Sequence, residues 1–370
     1  MHVNGVYLDS YALCSSLTSL SCVKDVCFGK MMHAHVQKSG WLSSVFVCSA
    51  LVDFYAKLLS VNDAAMMFDE IPSKNTVCVN ALLSGFAEAK MWDEVIQLVR
   101  RIPGLHLDVD NFTLSAALRA CAGLCEVEMG RQIHASVLHK KFDLGADVFL
   151  QSLLIEMYGK CGLVESARQV FDMVGFQGIG ERKRDVVLWT SMFGVYGRNG
   201  NYVEVIRLFG NMLKEGIRPD GVAFLTVISA CSHTGQVDVG VEYFESMSLH
   251  GLVPSSEHYS CLVDLLCRAG ELERAWNLVV KMPHSEDGSC TISMWGTLLS
   301  ACNEYGNVDL GKLAAQRALD LEPQNVGIYV LLSNMYARNS MWDEIGQLRE
   351  LMKRRGLKKD IGCSSIDVAN

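Results

Sequence analysis

The sequence predicts an all-α chain, an α-solenoid of helix–turn–helix repeats, on three observations. First, phrases recur about 105 residues apart, the mark of a stacked repeat array. Leu118-Arg-Ala-Cys121 with Val127-Glu-Met-Gly130-Arg131-Gln-Ile-His134 is echoed earlier by Gly29-Lys-Met-Met-His33 and later by Ile228-Ser-Ala-Cys231 with Val239-Gly240. Second, apolar residues follow a helical spacing: Val205, Leu208, Phe209 and Met212 fall on one face. Third, glycine and proline punctuate at matching places. Lys160-Cys-Gly162, Arg198-Asn-Gly200 and Arg268-Ala-Gly270 read as left-handed helix ends, and Lys214-Glu-Gly216-Ile-Arg-Pro219-Asp220 as a stop that no helix continues through.

Setting the phrases in register gives eight units, at 10–44, 45–75, 76–110, 111–147, 148–185, 186–220, 221–255 and 256–287. Their lengths repeat in the order longer, shorter, longer. Ala50-Leu-Val-Asp53-Phe-Tyr-Ala-Lys57 in the second unit reappears as Leu153-Leu-Ile-Glu156-Met-Tyr-Gly-Lys160 in the fifth and Leu262-Val-Asp264-Leu-Leu-Cys-Arg268 in the eighth. Asn80-Ala-Leu-Leu-Ser-Gly85 in the third matches Thr190-Ser-Met-Phe-Gly194 in the sixth. The fifth unit carries an extra Gly-rich stretch from Val174 to Lys183. It is expected to be a mobile loop, because it follows a helix and lacks the glycine spacing of a nucleotide-binding turn. Two further hairpins follow, at 288–325 and 326–368.

Composition narrows the function. A net charge of −8 is the wrong sign for a protein that holds nucleic acid by phosphate contact alone, and by itself it favours a protein partner. Fourteen cysteines without any Cys-x-x-Cys pair argue against a structural zinc. Cys121, Cys231 and Cys302 each follow an alanine in matching helices, so they read as small buried hydrophobes in a reducing compartment. No apolar run approaches the roughly 20 residues of a membrane helix, and the N-terminus lacks the Arg- and Ser-rich character of a transit peptide.

Val186-Val-Leu-Trp189-Thr190, followed by Met212-Leu-Lys-Glu-Gly-Ile-Arg-Pro-Asp220, resembles the pentatricopeptide repeat. The alternation of lengths resembles the plant PLS subfamily, here in the order L-S-P-L-S-P-L-S. Met294-Trp-Gly-Thr-Leu-Leu-Ser-Ala-Cys302 and Ala318-Leu-Asp-Leu-Glu-Pro323 resemble a first E-type motif at 288–325. Tyr329-Val-Leu-Leu-Ser-Asn-Met-Tyr336 to Gly362-Cys-Ser-Ser-Ile-Asp-Val368 resembles a second at 326–368. The resemblance implies a right-handed α-solenoid that binds single-stranded RNA, one nucleotide per repeat.

The resemblance also assigns roles. Base reading falls to the fifth residue of a unit and to its last. The pairs are Ser49 with Asn75, Asn80 with Asp110, Ser152 with Asp185, Thr190 with Asp220, and Ser260 with Asp287. Asn80 with Asp110 implies uridine and Thr190 with Asp220 guanine; Ser49 with Asn75 implies adenine and Ser152 with Asp185 guanine. The L-type pairs resist decoding, and Leu225 has no hydrogen-bonding group. The competing reading is that these polar residues are ordinary helix caps. The second residues, Phe46, Val77, Phe112, Phe149, Val187 and Val222, are expected to sandwich bases, with core burial as the alternative. Lys57, Lys160, Arg198 and Arg268 form a basic column suited to phosphates or to the helix dipole, and Glu88 interrupts it.

A deaminase would need His-x-Glu and Pro-Cys-x-x-Cys to hold zinc. Only His284-Ser-Glu286 occurs, with no Cys-x-x-Cys after it, so no catalyst, metal or cofactor is expected. The function the resemblance implies is recognition of a site for C-to-U editing of organellar RNA. A DYW-type deaminase would act in trans, and multiple organellar RNA editing factors would contact the L-type units. The organelle is expected to be the mitochondrion, with the chloroplast as the alternative, and the opening inside an L-type unit suggests a truncated N-terminus. Other RNA processing, splicing or stabilisation, and a protein-only scaffold, are the competing functions.

Overall fold

The computed structural model describes residues 8–139, 148–173, 184–282 and 288–358. The insert at 174–183, Asp147, Asp287, the triplet His284-Ser-Glu286 and the end of the second E-type motif lie outside these residues. Among the described residues there are twenty α-helices, a few short 3₁₀ turns and no strand.

The helices form two compact units, Met1–Asn199 and Gly200–Asn370. In the first, hairpins run α1 (Ser10–Val23) with α2 (Val26–Lys38), α3 (Val45–Lys57) with α4 (Val61–Glu70) and α5 (Thr76–Glu88) with α6 (Trp92–Arg101). They continue as α7 (Asn111–Leu124) with α8 (Val127–His139) and α9 (Val148–Lys160) with α10 (Val164–Met173), and α11 (Val186–Arg198) ends the unit. The second unit holds α12 (Tyr202–Lys214), α13 (Gly221–Thr234) with α14 (Val237–Ser246) and α15 (Ser256–Arg268) with α16 (Leu272–Lys281). After these come α17 (Gly288–Tyr305) with α18 (Val308–Leu321) and α19 (Val326–Arg338) with α20 (Trp342–Arg354).

Odd-numbered helices pack on one another in sequence. The rows are α1, α3, α5, α7, α9, α11 in one unit and α13, α15, α17, α19 in the other. Even-numbered helices pack against the odd ones. This layering explains the mixed apolar pattern of the odd helices, which are buried on more than one face: α3 buries Val47, Leu51, Val52, Phe54 and Tyr55. Each such side chain contributes about 1.5–3 kcal/mol over leaving it in water. The even helices are amphipathic; α12 buries only Val205, Leu208, Phe209 and Met212.

Two recurring devices set the stacking distance. The glycine of the repeated phrase lets an even helix approach the next odd one closely. A Cβ on Gly240 would lie 2.4 Å from Leu265 Cδ2, and one on Gly29 would fall within the Phe54 ring at 1.8 Å. Alanine-flanked cysteines fill the narrow spaces of the odd row: Cys121, Cys231 and Cys302 are fully buried. Burial pushes their thiols up, to about 12 for Cys121, about 11 for Cys231 and about 11 for Cys302, so they are inert packing groups. All twelve cysteines among the described side chains are free thiols.

Candidate nucleic-acid interface

The last residue of each unit sits at the N-terminus of the next odd helix, where four backbone N–H groups lack intrahelical partners. Asn75 Oδ1 accepts from the Cys78 amide at 2.8 Å, Asp110 Oδ1 from Thr113 at 2.8 Å and Asp220 Oδ1 from Ala223 at 2.8 Å. Asp185 makes no such bond and is exposed. Capping therefore accounts for three of these residues, but not for their partners. The fifth residues lie one turn inside the helices, where no cap is needed.

In the first unit, two of the expected pairs are in direct contact. Asn80 Nδ2 donates to Asp110 Oδ2 at 2.8 Å, and Ser49 Oγ faces Asn75 Oδ1 at 3.3 Å while donating to the Val45 carbonyl at 2.7 Å. Burial pushes the Asp110 carboxyl up, but the hydrogen bonds from the Thr113 backbone and from the Asn80 and Thr113 side chains outweigh it, so it sits below the usual carboxylate range. Ser152 Oγ donates to the Phe149 carbonyl at 2.7 Å instead of reaching Asp185. Thr190 Oγ1 likewise turns back onto Val186 and Val187, each at 3.1 Å. Thr190 belongs to the first unit and Asp220 to the second. Ser260 is half-buried on α15, and its partner Asp287 lies outside the described residues.

The second residues correct the core-burial alternative. Phe46, Val77, Phe112, Phe149, Val187 and Val222 are all solvent-exposed, from 43 % at Val187 to 76 % at Phe46. They stand three residues before the fifth position, on the same helical face. Phe112 and Phe149 line one continuous groove of about 880 Å³ across α5, α7 and α9, together with Ser115, Lys90, Arg119 and Lys160. Glu88 and Glu156 line it too, so its charge is mixed.

The basic column is partly neutralised within its own helices. Lys57 pairs with Asp53 at 2.7 Å, Lys160 with Glu156 at 2.9 Å and Arg268 with Asp264 at 2.8 Å, each one helical turn apart. Arg198 is exposed at the end of α11. The i,i+4 carboxylates are visible in the repeated phrases and are the signal that a count of basic residues overlooks. No group of three or more potential metal ligands occurs among the described residues.

Family models for pentatricopeptide repeats match residues 77–106, 152–179, 184–233, 222–252 and 250–283, and an E motif model matches 305–367. The chain belongs to the pentatricopeptide repeat family. A mitochondrial pentatricopeptide repeat-containing protein of Arabidopsis thaliana is 37 % identical over 359 residues, 97 % of this chain and 54 % of the relative. The chloroplastic protein CRR2 of the same plant is 37 % identical over 362 residues, 97 % of this chain and 53 % of its own length. The chain thus spans about half the length of the curated relatives it matches. Among solved structures, the pentatricopeptide repeat protein PPR10 in complex with an 18-nucleotide psaJ RNA element superposes with a TM-score of 0.65 at 16 % identity, over 88 % of this chain and 48 % of that one. That likeness shows the helical-repeat fold.

Proposed function

We propose that the array binds single-stranded organellar RNA in a sequence-specific manner and selects a cytidine for C-to-U editing, with a DYW-type deaminase supplied in trans. The observation that carries base reading is the pairing of Asn80 with Asp110 and of Ser49 with Asn75 across successive repeats, beside exposed apolar second residues. A base slotted between Val77 and Phe112 meets polar groups at its edge and apolar contact on its faces. The E motif at 305–367 favours editing over splicing or stabilisation, and multiple organellar RNA editing factors are the proposed partners of the L-type units. Relatives named as mitochondrial and as chloroplastic support an organelle, and the mitochondrion is proposed first.

The proposed target reads A-U-N-G-G-N-N-N-N-N-C, with the last S-type unit about four nucleotides before the edited base. Organellar transcript sequencing in a loss-of-function line tests the reading. A cytidine in this context is expected to lose editing, and unchanged editing at every site overturns it. A protein-only scaffold is disfavoured, because it has no use for polar pairs held against exposed apolar residues at the same register.

A further inference from the structure

Among the twelve cysteines of the described side chains, one pair differs from the rest. Cys125 caps the end of α7, and Cys161 follows the last residue of α9 in the next unit. The Cys125 thiol donates to the Lys160 carbonyl at 3.6 Å, which places its sulfur one peptide unit from Cys161, and the two thiols are hydrogen-bonded to each other. Cys125 is exposed and Cys161 half-buried, so a small oxidant reaches the pair. Cys48 with Cys78 and Cys267 with Cys302 also lie close enough to feel each other's charge, but all four are buried.

The fold does not demand either thiol. The residue after α1 is Lys24 and the residue after α13 is Gly235, both in the left-handed conformation that Cys125 adopts at φ 57°. After α3 stands Leu58, and after α15 stands Ala269, where the fifth unit has Cys161. The same turns are thus built from lysine and leucine, or from glycine and alanine. Two sulfurs meet only where the fourth unit joins the fifth.

We infer that Cys125 and Cys161 are a peroxide-reactive thiol pair that closes into a disulfide between the fourth and fifth units. Exposure divides the work between them. Cys125 attacks first, as the thiolate: its sulfur bonds one oxygen of hydrogen peroxide, the O–O bond breaks and hydroxide leaves, giving a sulfenic acid. Burial pushes the Cys161 thiol up, and a charged Cys125 beside it pushes it further, so Cys161 holds its proton until the first step has removed that charge. Cys161 then gives up the proton and its sulfur attacks the Cys125 sulfur. The S–S bond forms, the S–O bond breaks, and the departing hydroxide is protonated to water. Two thiols and one peroxide give one disulfide and two waters, each sulfur losing one electron. Cys121 stays out of the reaction, being fully buried in α7. The bond ties the α7–α8 turn to the α9–α10 turn beside the groove residues Gly123 and Lys160, and its chemistry is independent of the RNA reading.

The test treats the full, reduced chain with a small excess of hydrogen peroxide, blocks the remaining thiols with iodoacetamide and digests with trypsin. Residues 120–131 and 161–168 are expected as one disulfide-linked pair that dithiothreitol separates, with fragmentation placing the bond on Cys125 and not on Cys121. In Cys161→Ser the first step runs and stops, so dimedone is expected to label Cys125. In Cys125→Ser neither the linked pair nor a dimedone adduct on Cys161 is expected. Both substitutions fall where the equivalent turns hold other residues, and a helical circular dichroism spectrum equal to wild type checks that the fold is kept. A wild type that forms the Cys125 dimedone adduct but no linked pair overturns the inference. A linked pair that survives in Cys125→Ser overturns it as well, and so does a Cys125 that peroxide leaves unchanged.

Discussion

The hydroxyl of Tyr55 is hydrogen-bonded to Nδ1 of His33 at 2.9 Å, and the same pairing recurs between Tyr158 and His134 at 3.0 Å, the rings meeting edge-on at 5.7 Å in both. Each pair joins the second helix of one L-type hairpin to the first helix of the next. The recurring histidines thus hold repeat junctions together. Tyr158→Phe is expected to cost about 1–3 kcal/mol, because it leaves a partly buried imidazole nitrogen without its partner. Hydrogen exchange across α8 and α9 should accelerate while exchange in α3 is unchanged; equal rates in both places would show that the contact contributes nothing.

The same histidines give the fold a pH dependence. Burial lowers the pKa of His134; for His33 burial also lowers it, and Glu70 and Asp63 raise it by less. Both side chains are therefore neutral in the folded chain over a range in which the unfolded chain already binds protons. Stability is level above the unfolded value of about 6.5 and falls as pH drops below it. Thermal melts between pH 7.5 and 5.5 should show this decline, and His134→Gln should reduce its slope. A slope unchanged by that substitution would assign the effect to other groups.

Glycines in even helices divide into two kinds. A Cβ at Gly240 would lie 2.4 Å from Leu265 Cδ2 and 3.1 Å from Cys231 Cβ, whereas one at Gly210 meets nothing within 4 Å. Gly240→Ala should destabilise by about 1–3 kcal/mol, since the stacked helices must move apart. Gly210→Ala should stabilise by about 0.5–1 kcal/mol through helix propensity. Opposite shifts in the urea midpoint are expected, and shifts of the same sign would contradict the packing argument.

The turn closing an S- or P-type hairpin needs a left-handed residue, met by Gly162, Gly200 and Gly270 but by Leu59 in the second unit and Lys90 in the third. Leu59 holds φ at 58° with its side chain largely in water. Leu59→Gly should therefore raise stability by about 1 kcal/mol, the strain of that conformation less the entropy glycine adds to the unfolded chain. An unchanged midpoint would mean the strain is already relieved locally.

The all-α repeat fold was legible because every hairpin restates it: one helical face, one glycine turn and one capped start, many times over. Redundancy makes a single ambiguous residue harmless. The candidate site lacked that support. The exposure of Phe46 and Phe149 was invisible because an apolar residue in an odd helix matches the core pattern as well as a groove. The contacts of Thr113 were missed because they reach two side chains, Asn80 and Asp110, that both belong to the preceding unit. The pairing of Asn80 with Asp110 was reached only through family resemblance; spacing alone does not bring the fifth residue of one helix to the start of the next.

The basic column makes the sharpest electrostatic prediction. Lys160 reaches the groove across α5, α7 and α9, yet Glu156, one turn earlier, pairs with it at 2.9 Å. Both side chains are 40 % exposed, so the pair is weak and a phosphate can compete for the ammonium group. Removing the carboxylate and removing the lysine then act oppositely on RNA binding. Glu156→Gln should tighten binding, because the lysine no longer exchanges one anion for another. Lys160→Gln should weaken it and make the plot of log K against log salt shallower by about 0.7, the slope of one phosphate contact on a single strand. Neither change should alter which base is preferred at any position, since a phosphate contact carries no sequence information. A salt slope unaffected by Lys160→Gln would remove this lysine from the interface and leave the helix dipole as its role.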